Sequence, residues 1–161
     1  MHAKTIGLLA ALVALAACSS PPPPPPPPGP PGPPGGISGA AIVPGSQQDL
    51  AATAGDRVFF AFDRSDIDSE GRQTLARQGE WLHRFPNVAV RIEGHCDERG
   101  TREYNLALGE RRANAVKNVL IAEGISRARI ATISYGKERP IVVGSNEEAW
   151  AQNRVAITTV Q

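Results

Sequence analysis

Residues 92 to 120, IEGHCDERGTREYNLALGERRANAVKNVL, set an aspartate, Asp97, on a charged turn and an arginine, Arg112, inside the apolar arc of the helix that follows. At about 3.6 residues per turn, Leu108, Ala113, Ala115, Val116, Val119 and Leu120 share one broad side. Arg112 projects from among them, while Arg111 turns to the solvated side. Burying a guanidinium is costly unless a carboxylate or an anionic ligand fills its donor fork. Asp97, across the turn, is the candidate partner. Two arrangements fit this spacing: an internal Asp97 to Arg112 ion pair that orients the turn, or an acid and a cation presented together to a zwitterionic ligand. Amino-acid head groups carry that charge pattern.

The elements around this pair follow from local pattern. Val88, Val90 and Ile92 alternate with Arg91, Glu93 and His95, which predicts a strand over residues 88–95. Gly100 permits a tight reversal, Thr101 suits a helix N-cap, and Glu103 sits favourably in the first turn of a helix over 104–123. Upstream, residues 57–62 read as a first strand, and a helix from about Ser69 presents Leu75, Leu82 and Phe85 on one face before Pro86 closes it. Downstream come a strand over 129–135, a short helix from about Ser145 or Asn146, and a last strand over 155–160. Strands alternating with helices predict a small α/β sandwich with helices on one sheet face, in the order β-α-β-α-β-(α)-β. Residues 37–56 are small and weakly patterned and read as linker grading into the domain edge.

Charge excludes one class of partner. With 17 Lys plus Arg against 16 Asp plus Glu, the chain has no basic field suited to nucleic acid. A thiol enzyme is disfavoured because Cys96 and His95, adjacent on a strand end, point to opposite faces. His95 and Asp97 share a face and offer two metal ligands, but no third follows at suitable spacing, so no metal and no cofactor is expected.

The stretches GHCDERGTREYN and LGERRANAVK resemble the signature of the OmpA-like peptidoglycan-binding domain family, and most closely its peptidoglycan-associated lipoprotein branch. FFAFDRSDI near Phe62, SYGKERP from Ser134 and NRVAI from Asn153 stand in the order that family shows, so the resemblance covers roughly residues 57 to 161. It implies a mixed four-stranded sheet in a two-layer sandwich, occupying residues 45–161. It also implies a ligand, the diaminopimelate of the peptidoglycan stem peptide, with an ammonium for Asp97 and a carboxylate for Arg112 and backbone N–H groups of the turn. Asp63, Arg99, Thr101, Asn105 and Arg154 would line the rest. Cys96 departs from the family's usual alanine or threonine and is expected to point inward. The partners implied are peptidoglycan, the propeller protein TolB and the Tol system, with a role in cell division. The alternative within the family is an anchoring lipoprotein without a TolB partner.

The N-terminal residues fit the same assignment. A weakly basic start at His2 and Lys4 and an apolar run over 6–14 lead to Leu15, Ala16, Ala17 and Cys18, which resembles a lipobox. Residues 1–17 are thus expected to be a lipoprotein signal peptide and Cys18 the acylated N-terminus. The run is too short to span a bilayer, whereas two or more acyl chains anchor stably. The resemblance to lipoproteins, many of which carry an aspartate after the cysteine when retained in the inner membrane, implies from Ser19 an outer-membrane address, with the domain facing the periplasm. The rest of 18–44 is linker, whose proline-rich residues 21–36 favour polyproline II and reach on the order of 40 Å.

Overall fold

The computed structural model describes residues 41–161. The expected signal peptide, Cys18 and the proline-rich segment lie outside the described residues. Helix α1 (Gln47–Thr53) precedes strand β1 (Arg57–Phe59), helix α2 (Ser69–Arg84), strand β2 (Val90–His95) and helix α3 (Arg102–Ala122). A short 3-10 turn, Arg127–Arg129, leads into β3 (Ile130–Gly136), α4 (Glu147–Asn153) and β4 (Val155–Val160). The sheet runs β1-β4-β2-β3. β4 pairs antiparallel with both β1 and β2, and β2 pairs parallel with β3. This is the α/β sandwich expected from the alternating elements, with the mixed four-stranded sheet that the family resemblance implied.

Caps fix where the helices begin. Asp68, Thr101 and Asn146 each accept a backbone N–H three residues on, from Gly71, Tyr104 and Ala149. α3 lies on β2 and β3, and α2 lies on β1 and α3. Between these layers Val58, Leu75, Leu82, Val90, Ile92, Val116 and Leu120 are all but fully buried.

Two boundaries depart from expectation in ways that matter. Pairing in β1 stops at Phe59 rather than residue 62; Phe60 still donates to the Arg154 carbonyl at 2.9 Å, but the chain then turns away. Residues 47–53, read as linker, form α1, and its Leu50 is completely buried in the core. Trp81 donates its indole N–H to Asp49 at 3.0 Å, and Gln47 bonds the Val160 N–H at 2.8 Å. A seven-residue helix with one buried apolar side chain carries no readable periodicity, so these distant contacts, not local pattern, form it.

Where α3 crosses β2, two glycines let backbones meet. A Cβ on Gly94 would lie 1.9 Å from the Gly109 carbonyl oxygen, so neither side chain nor rotamer can relieve the clash. This contact sets α3 against the strand that ends at the turn bearing Asp97. Gly94→Ala is expected to destabilise the fold by about 3 kcal/mol or more. Urea unfolding checks this, and an unchanged midpoint would contradict the close approach.

Candidate functional site

A cavity of about 160 Å³ opens where the end of β2, the start of α3 and the loop after β1 converge, lined in part by Asp63, Asp97, Arg99, Asn105 and Arg112. Five of the seven expected ligand residues therefore share one cavity. Thr101 does not line it; it caps α3. Arg154 lies behind the wall, donating from Nη1 to Asp97 at 3.4 Å, from Nε to the Phe60 carbonyl at 3.1 Å and from Nη2 to Glu147 at 2.7 Å. It holds Asp97 from the rear instead of facing the cavity.

Arg112 is fully buried, as its place in the apolar arc required. Its partner is not Asp97. Nε donates to the Arg64 carbonyl at 2.9 Å, Nη1 to His95 at 2.8 Å and Nη2 to Ala61 at 3.2 Å. Neutral carbonyls satisfy its donors without cancelling its charge. Burial pulls its pKa below the ordinary arginine value, while Cys96 and Asp97 act to raise it.

Asp97 is buried too, and its ion pairs are with Arg99 at 2.7 Å and Arg154 at 3.4 Å. Burial pushes its carboxyl up, but hydrogen bonds from the Arg99 side chain and backbone and from Arg154 outweigh this and hold it below the usual carboxylate range. The turn itself is braced. The Asn105 amide donates to the carbonyls of Arg99 at 2.7 Å and Thr101 at 3.0 Å, and Lys137 donates to those of Glu98 at 3.1 Å and Gly100 at 2.6 Å. Gly100 has a φ of 90°, the left-handed conformation this reversal needs.

Sequence reasoning missed the apolar part of the site. Phe62, Tyr104 and Leu108 line the cavity, and the Tyr104 hydroxyl donates to Asp63. Asp63 adopts a φ of 57°, which among non-glycine residues Asn and Asp tolerate best. Phe62 and Tyr104 are about half exposed beside the cavity, a feature visible only in the structure and not in the sequence. Cys96 does point inward, 2% exposed, its thiol donating to the Asn105 carbonyl at 3.3 Å; burial pushes its pKa up. His95 donates from Nδ1 to the Arg139 carbonyl at 3.0 Å, so the two side chains serve separate main-chain partners. Among the described residues no three His, Cys, Asp or Glu side chains cluster to hold a metal ion.

The OmpA family model matches residues 59–154, a span that holds the whole cavity. This chain belongs to the OmpA family. Over 126 residues it is 52% identical to the peptidoglycan-associated lipoprotein of Agrobacterium fabrum, covering 78% of this chain and 71% of that one. The peptidoglycan-associated lipoprotein of Pseudomonas aeruginosa is 48% identical over 113 residues, 70% of this chain and 67% of the relative. The crystal structure of the peptidoglycan-associated lipoprotein from Burkholderia pseudomallei superposes with a TM-score of 0.64 at 40% identity, covering 66% of this chain and 90% of that one. Within the family the chain thus falls among the peptidoglycan-associated lipoproteins. The C-terminal domain of Helicobacter pylori MotB, at 21% identity and a TM-score of 0.62, shares the fold, covering 66% of this chain and 84% of that one.

Because Asp97's pKa is depressed in the folded state, its stabilisation is complete above the unfolded value of about 4 and is lost as pH falls through the folded value. Asp97→Asn should cost about 2 kcal/mol near neutral pH, and the gap to wild type should narrow in acid. Unfolding in urea at neutral pH and near pH 3 measures both; a constant gap would contradict the ion pairing.

Proposed function

We propose that the cavity captures the free end of diaminopimelate in peptidoglycan, Asp97 taking the ammonium and Arg112 the carboxylate. The observation that carries this reading is the pairing of opposite charges across one small cavity: an ionised, buried carboxylate on one wall and, on another, a buried guanidinium that makes no ion pair among the described residues. A single ammonium or a single carboxylate would use half of that arrangement. A zwitterionic amino-acid tip uses all of it. Asp63, Arg99 and Asn105 line the same cavity, with Thr101 and Arg154 acting through the turn and through Asp97. Phe62, Tyr104 and Leu108 give the ligand's methylene chain an apolar wall.

The site is a binding site and not a thiol enzyme's, a reading supported by the Cys96 thiol, which burial keeps protonated and which donates to a carbonyl. Around this capture the chain acts as an outer-membrane lipoprotein, acylated at Cys18, that tethers the membrane to the cell wall from the periplasmic side. It does so as part of the Tol system, with TolB as partner, in cell division and envelope integrity. The names of the relatives and the lipobox-like residues 15–18 support the lipoprotein part. The Tol assignment rests on likeness to the peptidoglycan-associated lipoprotein branch.

Lysine-type peptidoglycan lacks the second carboxylate at the same position. Co-sedimentation is expected to show the protein pelleting with diaminopimelate walls and not with lysine walls. Asp97→Asn, checked for folding, should weaken the former by more than about tenfold. Equal binding to both walls would overturn the zwitterion reading.

A further inference from the structure

A carboxylate offers about four acceptor positions, and those of Asp97 are all taken in the free protein. Oδ1 accepts the Arg99 backbone N–H at 3.1 Å and Arg99 Nε at 3.2 Å; Oδ2 accepts Arg99 Nη2 at 2.7 Å and Arg154 Nη1 at 3.4 Å. An arriving ammonium finds no vacant lone pair there. Two of the four donors are fixed: the Arg99 backbone by the braced turn, and Arg154, whose side chain is 9% exposed, by its bonds to Phe60 and Glu147. The Arg99 side chain is the removable one, at 31% exposure.

Its surroundings form a slot. The guanidinium carbon lies 4.0 Å from the centroid of the Phe62 ring and 4.1 Å from that of Trp150, so aromatic faces hold the cation while leaving its in-plane position loosely defined. Glu147 waits at 3.9 Å from Nη1, but at 66% side-chain exposure it is a weak substitute for the buried Asp97.

We propose that Arg99 is a built-in competitor for the ligand's ammonium and thereby sets the site's specificity. The proposal rests on the diaminopimelate reading and adds how the site rejects a simple amine. When an ammonium takes the Asp97 positions held by Nε and Nη2, the charge at Asp97 is unchanged, but Arg99 loses its buried counter-ion. A ligand that also brings a carboxylate supplies a new one beside Arg99 and Arg112, and the guanidinium shifts within its aromatic slot to meet it. A lysine tip supplies the ammonium alone, which leaves Arg112 unpaired as before and Arg99 with only the exposed Glu147. Discrimination therefore comes from a cost imposed on the wrong ligand as well as from contacts to the right one.

The test uses a peptide ending in diaminopimelate and its lysine counterpart, each titrated by calorimetry into wild type and into Arg99→Gln. Wild type should prefer the diaminopimelate peptide, and Arg99→Gln should bind the lysine peptide more tightly, shrinking that preference about tenfold or more. In fluorotryptophan-labelled wild type, saturation with the diaminopimelate peptide should shift the Trp150 resonance, while Trp81, 2% exposed and in the core, stays in place. An undiminished preference in folded Arg99→Gln, or an unmoved Trp150 signal in saturated wild type, overturns the proposal; should the variant not fold, the Trp150 signal decides alone. Wild type that binds both peptides equally, or neither, refutes the diaminopimelate reading itself and the competitor role with it.

Discussion

Burying Arg112 without a counter-ion constrains everything around it. The guanidinium must keep three carbonyl partners, and those come from Ala61 and Arg64 in the loop after β1 and from His95 at the end of β2. Charge-assisted bonds of this kind contribute roughly 1.5 to 3 kcal/mol each, enough together to offset much of the cost of taking the cation out of water. The same three bonds draw the loop, the strand end and α3 to one point. The cavity is the space left between them, so the interaction that closes the fold at this end also shapes the site.

Asp97 solves the opposite problem. It has two arginines as partners, Arg99 and Arg154, and together they make its ionised form secure. The two charged groups are thus prepared differently: the cation is rigid and lacks an anion, and the anion is saturated by a cation that can leave. Around them Asn105 and Lys137 spend their donors on carbonyls of the turn, which fixes the backbone that carries Asp97. Preorganisation of this sort lowers the entropy cost of holding a small polar ligand.

Much of this was legible in the sequence. The alternation before Asp97, the cap at Thr101 and the apolar arc around Arg112 are local patterns, and they placed β2, α3 and a buried cation correctly. What Arg112 binds was not legible, because its acceptors are backbone oxygens, which no side-chain pattern reveals, and two of them lie 48 and 51 residues away in sequence. Arg154 shows the same limit: motif likeness brought it to the site, but only the fold places it behind Asp97. α1 was missed because it is held by contacts with Trp81 and the end of β4 and not by its own periodicity. Phe62 and Tyr104 carried no signal of their own until their exposure beside the cavity could be seen.

The central claim is a geometric one, that opposite ends of a zwitterion sit on Asp97 and Arg112. A crystal structure of the protein with a diaminopimelate peptide tests it most directly. The ammonium should lie within hydrogen-bond distance of the Asp97 carboxylate and the carboxylate should face Arg112. A peptide seated elsewhere, with both side chains out of its reach, would contradict the account.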